Sequence, residues 1–505
     1  MKKTVILLIG IMMTSKIFGL MREVVLSYSY GASNISDIYL VSLAIPNTIF
    51  GFVASGIATG YIPIYSNIEE EHGILAANKY TNNLINILML ICTVLIILSL
   101  IFTEEIVRIF ASGFKGENFK LTVNFTRISL FSMYFTGLVS IFTGFLQLKE
   151  SYVIPSLIAF PMNMVIILSI LISSKTNIYV IAFGSLLSVV IQFVFIIPFV
   201  IKKGYHYQAI INIKDNYIKD MAYMAIPVIL GTSINQINTL VDKTLASSIS
   251  IGGISALNYA GILSDSVLGI FVTAVASVIY PIMSKMANKD NIDGLKRTAR
   301  ESITSTNILI IPSTIGIMIF AEQIVKILFE RGAFTDNALV MTTGALFYYA
   351  IGNIGYGLRQ ILYRIFYSLH DTRTPVINAS LSLVINIVLN IILSKYMGIN
   401  GLALATSISA IICTILLFIS LRKKIGPFGM KNIVISFIKI TIASIIMGVF
   451  AKQMFNFLIN TIAFYIALTG AIFMSIIFYF ALIALFSIEE FDSIIIIIKN
   501  KFDKI

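Results

Sequence analysis

Charged side chains stand inside long apolar stretches of this sequence, where a charge is costly. A charge near the middle of a bilayer costs about 2.5–3.5 kcal/mol even on insertion scales, so such a side chain normally faces a partner or a polar cavity. Five cations could share one cavity: Lys16, Arg22, Lys243, Arg359 and Arg364. Because cations outnumber acidic residues at similar depth, we expect a cavity that suits an anionic substrate. Arginine is particularly suited to phosphate, which it can bind through two N–H groups at once.

Acidic residues share the same stretches and offer these cations partners. Glu23 and Asp242 are each adjacent to a cation, and Asp37 and Asp265 lie further along the chain. We predict that Glu23 and Asp265 form ion pairs that take part in gating. The alternative is internal salt bridging, of Arg22 with Asp37 and of Lys243 with Asp265, which would make these charges structural.

Four oxygen-bearing side chains could bind a hard cation such as sodium, which prefers a cluster of oxygen ligands. Asn386 and Asn390 are four residues apart and share a helix face, and Thr406 and Asp242 would complete the set. The alternative is that Asp242 pairs with a cation while the asparagines bond between helices. We expect no organic cofactor, and either sodium or the membrane potential as the energy source.

Residues for soluble-type catalysis are scarce. Cys92 and Cys413 lie in apolar runs, and the three histidines are scattered without the spacing of metal ligands. The sequence also contains no phosphate-binding loop, nucleophile elbow or zinc motif. We therefore predict that the protein is not an enzyme.

The amino-acid composition indicates that this chain lies largely in lipid. Of 505 residues, 58% are hydrophobic and only 12% are charged, about half the charge of a soluble domain, and the mean hydropathy is +0.94. Such a chain must be largely surrounded by lipid, and each crossing needs roughly 20 apolar residues. Fourteen candidate spans lie near 4–30, 37–65, 82–103, 122–148, 153–173, 177–201, 221–249, 255–283, 303–322, 339–367, 375–394, 401–420, 432–454 and 461–486.

Lysine and arginine in the loops predict the orientation. If the N-terminus is inside, inner segments carry more than twice as many of these residues as outer segments, as the positive-inside rule requires. Both termini are therefore predicted to be cytoplasmic. Much of the net charge of +12 is then explained by topology, and nothing favours nucleic-acid binding.

An internal repeat divides the chain. Residues 51–66 resemble residues 269–284, and Gly31 with Gly252 and Pro155 with Pro375 repeat at nearly the same spacing. An even number of spans separates the copies, so both units have the same membrane orientation, with a substrate path between them. The sequence thus predicts an all-α polytopic membrane protein: two parallel six-helix repeats around a central cavity plus two extra C-terminal helices, fourteen transmembrane helices in all. The predicted divisions are 1–215, 216–425 and 426–505, the last ending in a cytoplasmic tail.

Several motifs resemble those of the MurJ/MviN lipid II flippases, within the multidrug/oligosaccharidyl-lipid/polysaccharide exporter superfamily. They are SKIFGLMRE at 15–23, SDIYLVSLAIPN at 36–47, VDKTLAS at 241–247, ALNYA at 256–260 and RIFYSLHDTRTP at 364–375. The resemblance runs through the first twelve spans, and the count of fourteen also fits this family.

The resemblance implies translocation of undecaprenyl-diphosphate-linked disaccharide-pentapeptide to the outer leaflet of the bacterial cytoplasmic membrane, with membrane lipids and other cell-wall synthesis proteins as neighbours. Lys16, Arg22 and Asp37 fall on family positions important for transport, with lysine at 16 where arginine is usual, and Asp37 is therefore predicted to belong to the substrate-binding set with the five cations. Arginines that the family often carries within 48–52 and near 261–262 are absent. The last two spans resemble a pair that forms a groove for a polyprenyl tail.

Three other functions stay open at this point. One is transport of a different polyprenyl-diphosphate-linked glycan by the same mechanism. A second is cation-coupled multidrug export, which would require unpaired acids and aromatic residues rather than a cation-rich cavity. The third is a membrane enzyme or a scaffold for wall synthesis, for which the sequence offers no convergent catalytic set.

Overall fold

The computed structural model describes residues 2–289 and 291–486, so the predicted C-terminal tail lies outside the described residues. Within this part the chain is helical, without strands. The helices are α1 (Lys2–Tyr30), α2 (Asn34–Ile101), α3 (Thr103–Phe110), α4 (Gly116–Ser129), α5 (Ser132–Leu148), α6 (Val153–Leu157), α7 (Ala159–Ser173), α8 (Tyr179–Lys202), α9 (Asn216–Ile249), α10 (Gly253–Ala287), α11 (Ile292–Phe329), α12 (Asp336–Ser368), α13 (Arg373–Met397), α14 (Ile399–Ile425), α15 (Met430–Leu458) and α16 (Phe464–Leu485).

Helix α2 is a hairpin of two helical arms. Its backbone is non-helical at Gly73, where φ is +80°, a conformation that glycine adopts without steric cost. The Tyr61 hydroxyl lies 2.9 Å from the hydroxyl of Thr81, although 20 residues of straight helix would separate them by about 30 Å. The arms therefore fold back on each other, and they contain the predicted spans 37–65 and 82–103. The polar segment between those spans, which the sequence suggested was a loop, continues the helices instead.

Ten helical segments of the described chain are long and apolar enough to cross a membrane when α4 is taken with α5 and α6 with α7, or eleven if the bent helix α9 counts as one span. The hairpin α2 is counted once here, although it contains two of the predicted spans. Apolar side chains that face outwards along α15, such as Ile438, Ile442, Ile445 and Val449, are exposed in the protein alone, as expected for helices surrounded by lipid. The chain is a multi-pass membrane protein, while the count of fourteen crossings stays a prediction.

The chain forms two compact units, of which the first runs to Ser255 and includes Arg331–Thr335. In this unit α2 packs against α4, α5 and α9, and α7 packs against α1 and α8. Its core contains a tyrosine cluster: Tyr61 stacks on Tyr80 with ring centroids 6.2 Å apart, and Tyr65 meets Phe145 edge to face.

The second unit comprises Ala256–Glu330 and the described residues from Asp336 onwards. In it α12 packs between α11 and α14, and α13 lies against α14. Helices α15 and α16 pack on α11, where the Tyr479 hydroxyl donates to the carbonyl of Ile308 at 2.8 Å. The predicted lobe boundaries at 215 and 425 were drawn from the internal repeat, whereas the two units are defined by compactness. The lobe boundaries therefore stay a prediction.

An asparagine ladder on the second arm of α2 binds the extended segment 204–212. The amide groups donate to main-chain carbonyls of that segment: Asn78 to Gly204, Asn82 to His206, Asn86 to Gln208 and Ile210, and Asn83 to Asn212, at 2.9 to 3.3 Å. Four residues of helix rise about 6 Å, and two residues of extended chain span about 6.6 Å. Asparagines at every fourth position therefore match carbonyls at every second residue.

Candidate functional site

Asp37 lies in the first turn of α2 and is almost completely buried. Its carboxylate accepts hydrogen bonds from the backbone N–H of Gly252 at 2.8 Å, the backbone N–H of Ser255 at 2.7 Å and the Ser255 hydroxyl at 2.5 Å. These donors belong to the start of α10, where N–H groups have no partner within the helix. A carboxylate at this end is also favoured by the helix dipole. Asp37 therefore caps α10 from another helix.

The turns that precede α2 and α10 have the same backbone conformation. Gly31 and Gly252, paired by the predicted repeat, both have left-handed φ, +65° and +79°. A side chain at Gly252 would collide with the carbonyl of Ala32, so glycine is required for both conformation and space. This close approach brings Asp37 within reach of α10.

Two loops of the first unit cover these turns in the same manner. The backbone N–H of Ala333 donates to the carbonyl of Tyr28 at 2.8 Å, and that of Gly113 donates to the Ser247 hydroxyl at 3.1 Å. Gly113 and Gly332 are themselves separated by the repeat spacing, a signal that the motif search missed. The repeat arrangement as a whole stays a prediction.

Arg22 on α1 forms an ion pair with the adjacent Glu23, with 2.6 Å between Nη2 and Oε1. The Arg22 side chain is 27% exposed and lines a cavity, whereas that of Glu23 is only 3% exposed. The alternative pairing of Arg22 with Asp37 is not found among the described residues; the Asp37 oxygens accept from the start of α10 instead. The Glu23 carboxylate reduces the energetic cost of placing the Arg22 charge here. Part of the Arg22 guanidinium still remains accessible.

Lys243 on α9 donates from Nζ to the carbonyl of Leu40 at 3.2 Å. It lies close enough to Asp37 and Glu23 for electrostatic attraction. The first unit therefore brings together four of the predicted residues, Arg22, Glu23, Asp37 and Lys243. Lys16, two turns before Arg22 on α1, is exposed and stands apart from this cluster.

The cations of the second unit lie on aromatic rings. The guanidinium of Arg359 is 4.4 Å from the ring centre of Tyr356 and 5.8 Å from that of Tyr363, and Arg364 is 5.8 Å from that of Tyr280. Such cation–π contacts stabilise a charge without neutralising it. The tyrosines were missed in the sequence, although Tyr356 and Tyr363 flank Arg359 at helical spacing. Asp265 lies in this unit and is exposed.

Three of the four predicted sodium ligands lie together in the second unit. The Asn390 amide donates to Asn386 Oδ1 at 2.9 Å, and the Asn386 amide donates to the hydroxyls of Thr406 and Ser409 at 3.4 and 3.3 Å. The two bonds from Asn386 join α13 to α14, which matches the alternative of interhelical bonding, whereas the bond from Asn390 lies within α13. Asp242 belongs to α9 of the first unit. The four-residue sodium site stays a prediction.

The DTRTP motif forms the connection between α12 and α13. Asp371 accepts from the backbone N–H and hydroxyl of Thr374 at 2.9 and 2.8 Å, and from Lys424 Nζ at 2.6 Å. Partial burial raises the pKa of Asp371, but the Lys424 ammonium and the two Thr374 donors outweigh burial and lower the pKa to about 2. The motif therefore joins the start of α13 to the end of α14.

Comparison with known families gives a match over most of the chain. The family model described as "Lipid II flippase MurJ" matches residues 26–480. A "Probable lipid II flippase MurJ" of Vibrio cholerae is 29% identical over 433 residues, covering 82% of both chains. The "Lipid II flippase MurJ" of Burkholderia cenocepacia is 25% identical over 425 residues, again covering 82% of each chain.

Solved structures agree with the sequence comparisons. A structure entitled "Lipid II flippase MurJ, inward closed conformation" superposes with a TM-score of 0.82 at 27% identity, over 95% of this chain and 98% of that one. An inward-facing MATE multidrug transporter of the MOP superfamily superposes with a TM-score of 0.71 at 14% identity, over 83% of this chain and 98% of that one. The second likeness shows a shared fold only.

Proposed function

The chain belongs to the MurJ family of lipid II flippases, and on that premise we propose that it carries lipid II from the inner to the outer leaflet of the bacterial cytoplasmic membrane. The observation that carries this proposal is the family match over residues 26–480. This match confirms the resemblance found in the motifs. Because the family consists of flippases, the protein is a transporter and not an enzyme. Lipid II and the surrounding lipids are its partners.

The substrate diphosphate binds the cations in this proposal. Arg22 and Lys243 supply positive charge in the first unit, beside two carboxylates that keep their charged forms tolerable. Arg359 and Arg364 supply it in the second, where each guanidinium lies over a tyrosine ring. These contacts support an anionic ligand, because a diphosphate would gain charge-assisted hydrogen bonds from each guanidinium that it reaches.

Asp37 serves as a latch in this mechanism. Its three hydrogen bonds hold the start of α10 against the start of α2, at the side that the predicted topology assigns to the exterior. Alternating access requires that contacts on the outer side break when the substrate leaves. Breaking a small set of hydrogen bonds to one carboxylate is a discrete event suited to two-state switching.

The polyprenyl tail is assigned to an apolar groove of about 560 Å³ in the second unit. Its wall consists of α11, α12 and α15, with Ile315, Met318, Phe347 and Ile445 among its residues. Both termini are placed in the cytoplasm, and the two repeats with the additional pair make fourteen crossings. The energy source is sodium binding or the membrane potential.

Depletion and complementation test the function. Cells depleted of this protein should accumulate lipid II in the inner leaflet, and accumulation of a different polyprenyl-diphosphate-linked glycan would instead identify the competing substrate. Arg22→Ala should abolish complementation at normal membrane abundance. Arg127→Ala provides a matched control, because Arg127 is an exposed arginine near the end of α4 in the same unit. Full complementation by Arg22→Ala would contradict the assigned role of the guanidinium.

A further inference from the structure

A polar pocket of about 400 Å³ lies in the second unit, where α11, α12, α14 and α15 meet. This volume falls within the range of small-molecule binding sites, about 300–1,000 Å³. The pocket lies towards the ends of these helices that the predicted topology assigns to the exterior. Neither the sequence motifs nor the charged residues described above assign a ligand to it.

Three side-chain oxygens in the wall of this pocket are buried without a hydrogen-bond partner among the described residues. They are Gln323 Oε1 on α11, Thr343 Oγ1 on α12 and Asn400 Oδ1 at the start of α14. A side chain at Gly344 would collide with the Asn400 amide, so glycine allows α14 to bring this amide against α12. Because a buried oxygen without a donor is unfavourable, the wall suits a ligand that carries several N–H groups.

The other polar and aromatic residues of the wall favour a positively charged donor. Phe347 and Tyr348 line the pocket, and their rings are nearly perpendicular with centroids 5.3 Å apart. Aromatic rings attract ammonium groups. The Glu322 carboxylate also lines the pocket and is bonded to Lys326 at 2.7 Å, which leaves it further acceptor capacity. A primary ammonium group, with three N–H donors, therefore matches both the charge preference and the three buried oxygens.

The pocket continues into the apolar groove of α11, α12 and α15. Met318, Ile319 and Phe347 line both, and so does Lys452 near the end of α15. Lys452 is exposed and pairs with no carboxylate in the described part of the chain. A ligand with its ammonium group in the pocket can therefore place an anionic group at Lys452 and a hydrocarbon chain in the groove.

We propose that this pocket binds the headgroup of phosphatidylethanolamine, a phospholipid with a primary amine. The ammonium group donates to Gln323, Thr343 and Asn400, the phosphate pairs with Lys452, and one acyl chain lies in the groove until the polyprenyl tail takes its place. The site is built from contacts within the second unit, so it does not depend on which precursor the protein transports.

Three phospholipids with identical acyl chains and identical phosphates test the role of the amine. They are phosphatidylethanolamine, its N,N-dimethyl derivative and phosphatidylcholine, whose headgroups carry three, one and no N–H donors. Each is titrated onto the delipidated full-length protein, and native mass spectrometry gives the affinity of the first bound lipid. Wild-type protein should bind them in that order, with phosphatidylethanolamine at least about tenfold tighter than phosphatidylcholine.

Substitutions in the pocket separate the amine from the phosphate. Gln323→Leu and Asn400→Leu should each lower the affinity for phosphatidylethanolamine by about three- to tenfold, the effect of one hydrogen bond, and leave that for phosphatidylcholine unchanged. Lys452→Ala should weaken all three lipids. Two controls should change none of them: Gln208→Leu and Lys395→Ala, which alter exposed residues outside the pocket.

Equal affinity of the wild-type protein for the three lipids would overturn the proposal. Unchanged binding of phosphatidylethanolamine by both amide variants would also overturn it, as would a loss that all three lipids share in those variants. Thermal unfolding identifies a variant that misfolds, and Thr343→Val, which removes a hydroxyl at nearly constant volume, then provides the second measurement. Since the assay contains no precursor, failure of the proposed transport would leave its results unaffected.

Discussion

The carboxylate of Asp37 caps helix α10 through Ser255, from which it accepts a backbone hydrogen bond at 2.7 Å and a hydroxyl hydrogen bond at 2.5 Å. The two residues are far apart in the chain, and both are buried. A buried carboxylate is stable only where its lone pairs are satisfied. Asp37 is satisfied by main-chain N–H groups, which no residue-type pattern reveals.

Asp37→Asn should therefore destabilise the protein and loosen the contact between the start of α2 and the start of α10. The amide can accept from Ser255, but its NH₂ group then faces the N–H of Gly252, so one donor loses its partner. We expect a loss of about 1–3 kcal/mol, seen as a lower unfolding temperature of the purified protein. A cysteine at Ser33 should also react faster with an external maleimide in this variant. Equal unfolding temperature and equal labelling would contradict the latch.

Lys16 provides a test of charge on the exposed part of α1. If its ammonium acts as a point charge for phosphate, Lys16→Arg should complement a depleted strain and Lys16→Glu should not, because the reversed charge repels the ligand. Lys175→Glu, the same reversal in a loop, should complement normally. Wild-type growth with Lys16→Glu would show that Lys16 only extends towards the membrane surface.

Sodium coupling can be tested through Asp242. If this carboxylate, with Asn386, Asn390 and Thr406, binds sodium, then sodium should raise the unfolding temperature of the purified protein relative to potassium. The increase should vanish in Asp242→Asn and persist in Asp265→Asn. An absent effect of sodium, or an equal effect in Asp242→Asn, would favour interhelical bonding by the asparagines.

The Asp371 ion pair predicts an acid-sensitive contribution to stability. The pKa of Asp371 is lowered to about 2 in the folded protein, from an ordinary 3.8, so its stabilising effect is present above pH 4 and is lost as the pH falls towards 2. Since Lys424 is partly exposed, the effect should be no more than about 1 kcal/mol. Asp371→Asn should unfold at a lower temperature than wild type at pH 7, and the two should converge near pH 2.

The Asp371 prediction has an internal control in Glu71→Gln, which alters an exposed carboxylate in the region between the arms of α2. This variant should match wild type at both pH values. A gap between Asp371→Asn and wild type that stays constant down to pH 2 would mean that the ion pair does not cause it.

The sequence was sufficient to predict the features that depend on composition alone, which are the helices and the costly charges. Apolar runs predicted helices because a bilayer leaves backbone groups no other partner, and charges such as Arg22 and Lys243 stood out because they are expensive in that setting. The break between the predicted spans 37–65 and 82–103 was expected, but the helical arms extend to Gly73, because the intervening Glu and Ala residues favour helix once outside the bilayer.

The partners of these charges could not be predicted in the same way. Arg22 pairs with its neighbour Glu23 rather than with Asp37, and Arg359 lies on the rings of Tyr356 and Tyr363. Both outcomes depend on side-chain direction and on which backbone groups lie nearby. The cavity that Arg22 lines also required the structure, because its lining comes from six helices between α1 and α8.

The asparagine ladder on α2 has a consequence for how segment 204–212 can change during evolution. The asparagine amides donate to its main-chain carbonyls, which every amino acid possesses, so most substitutions in the segment should leave the ladder intact. Tyr205 and Tyr207 are exceptions, because their hydroxyls donate to Asn82 and Asn86. Inserting or deleting one residue is different, since it turns every following carbonyl away from its asparagine. Related proteins should therefore vary in the identity of these residues while keeping their number, or change it by two.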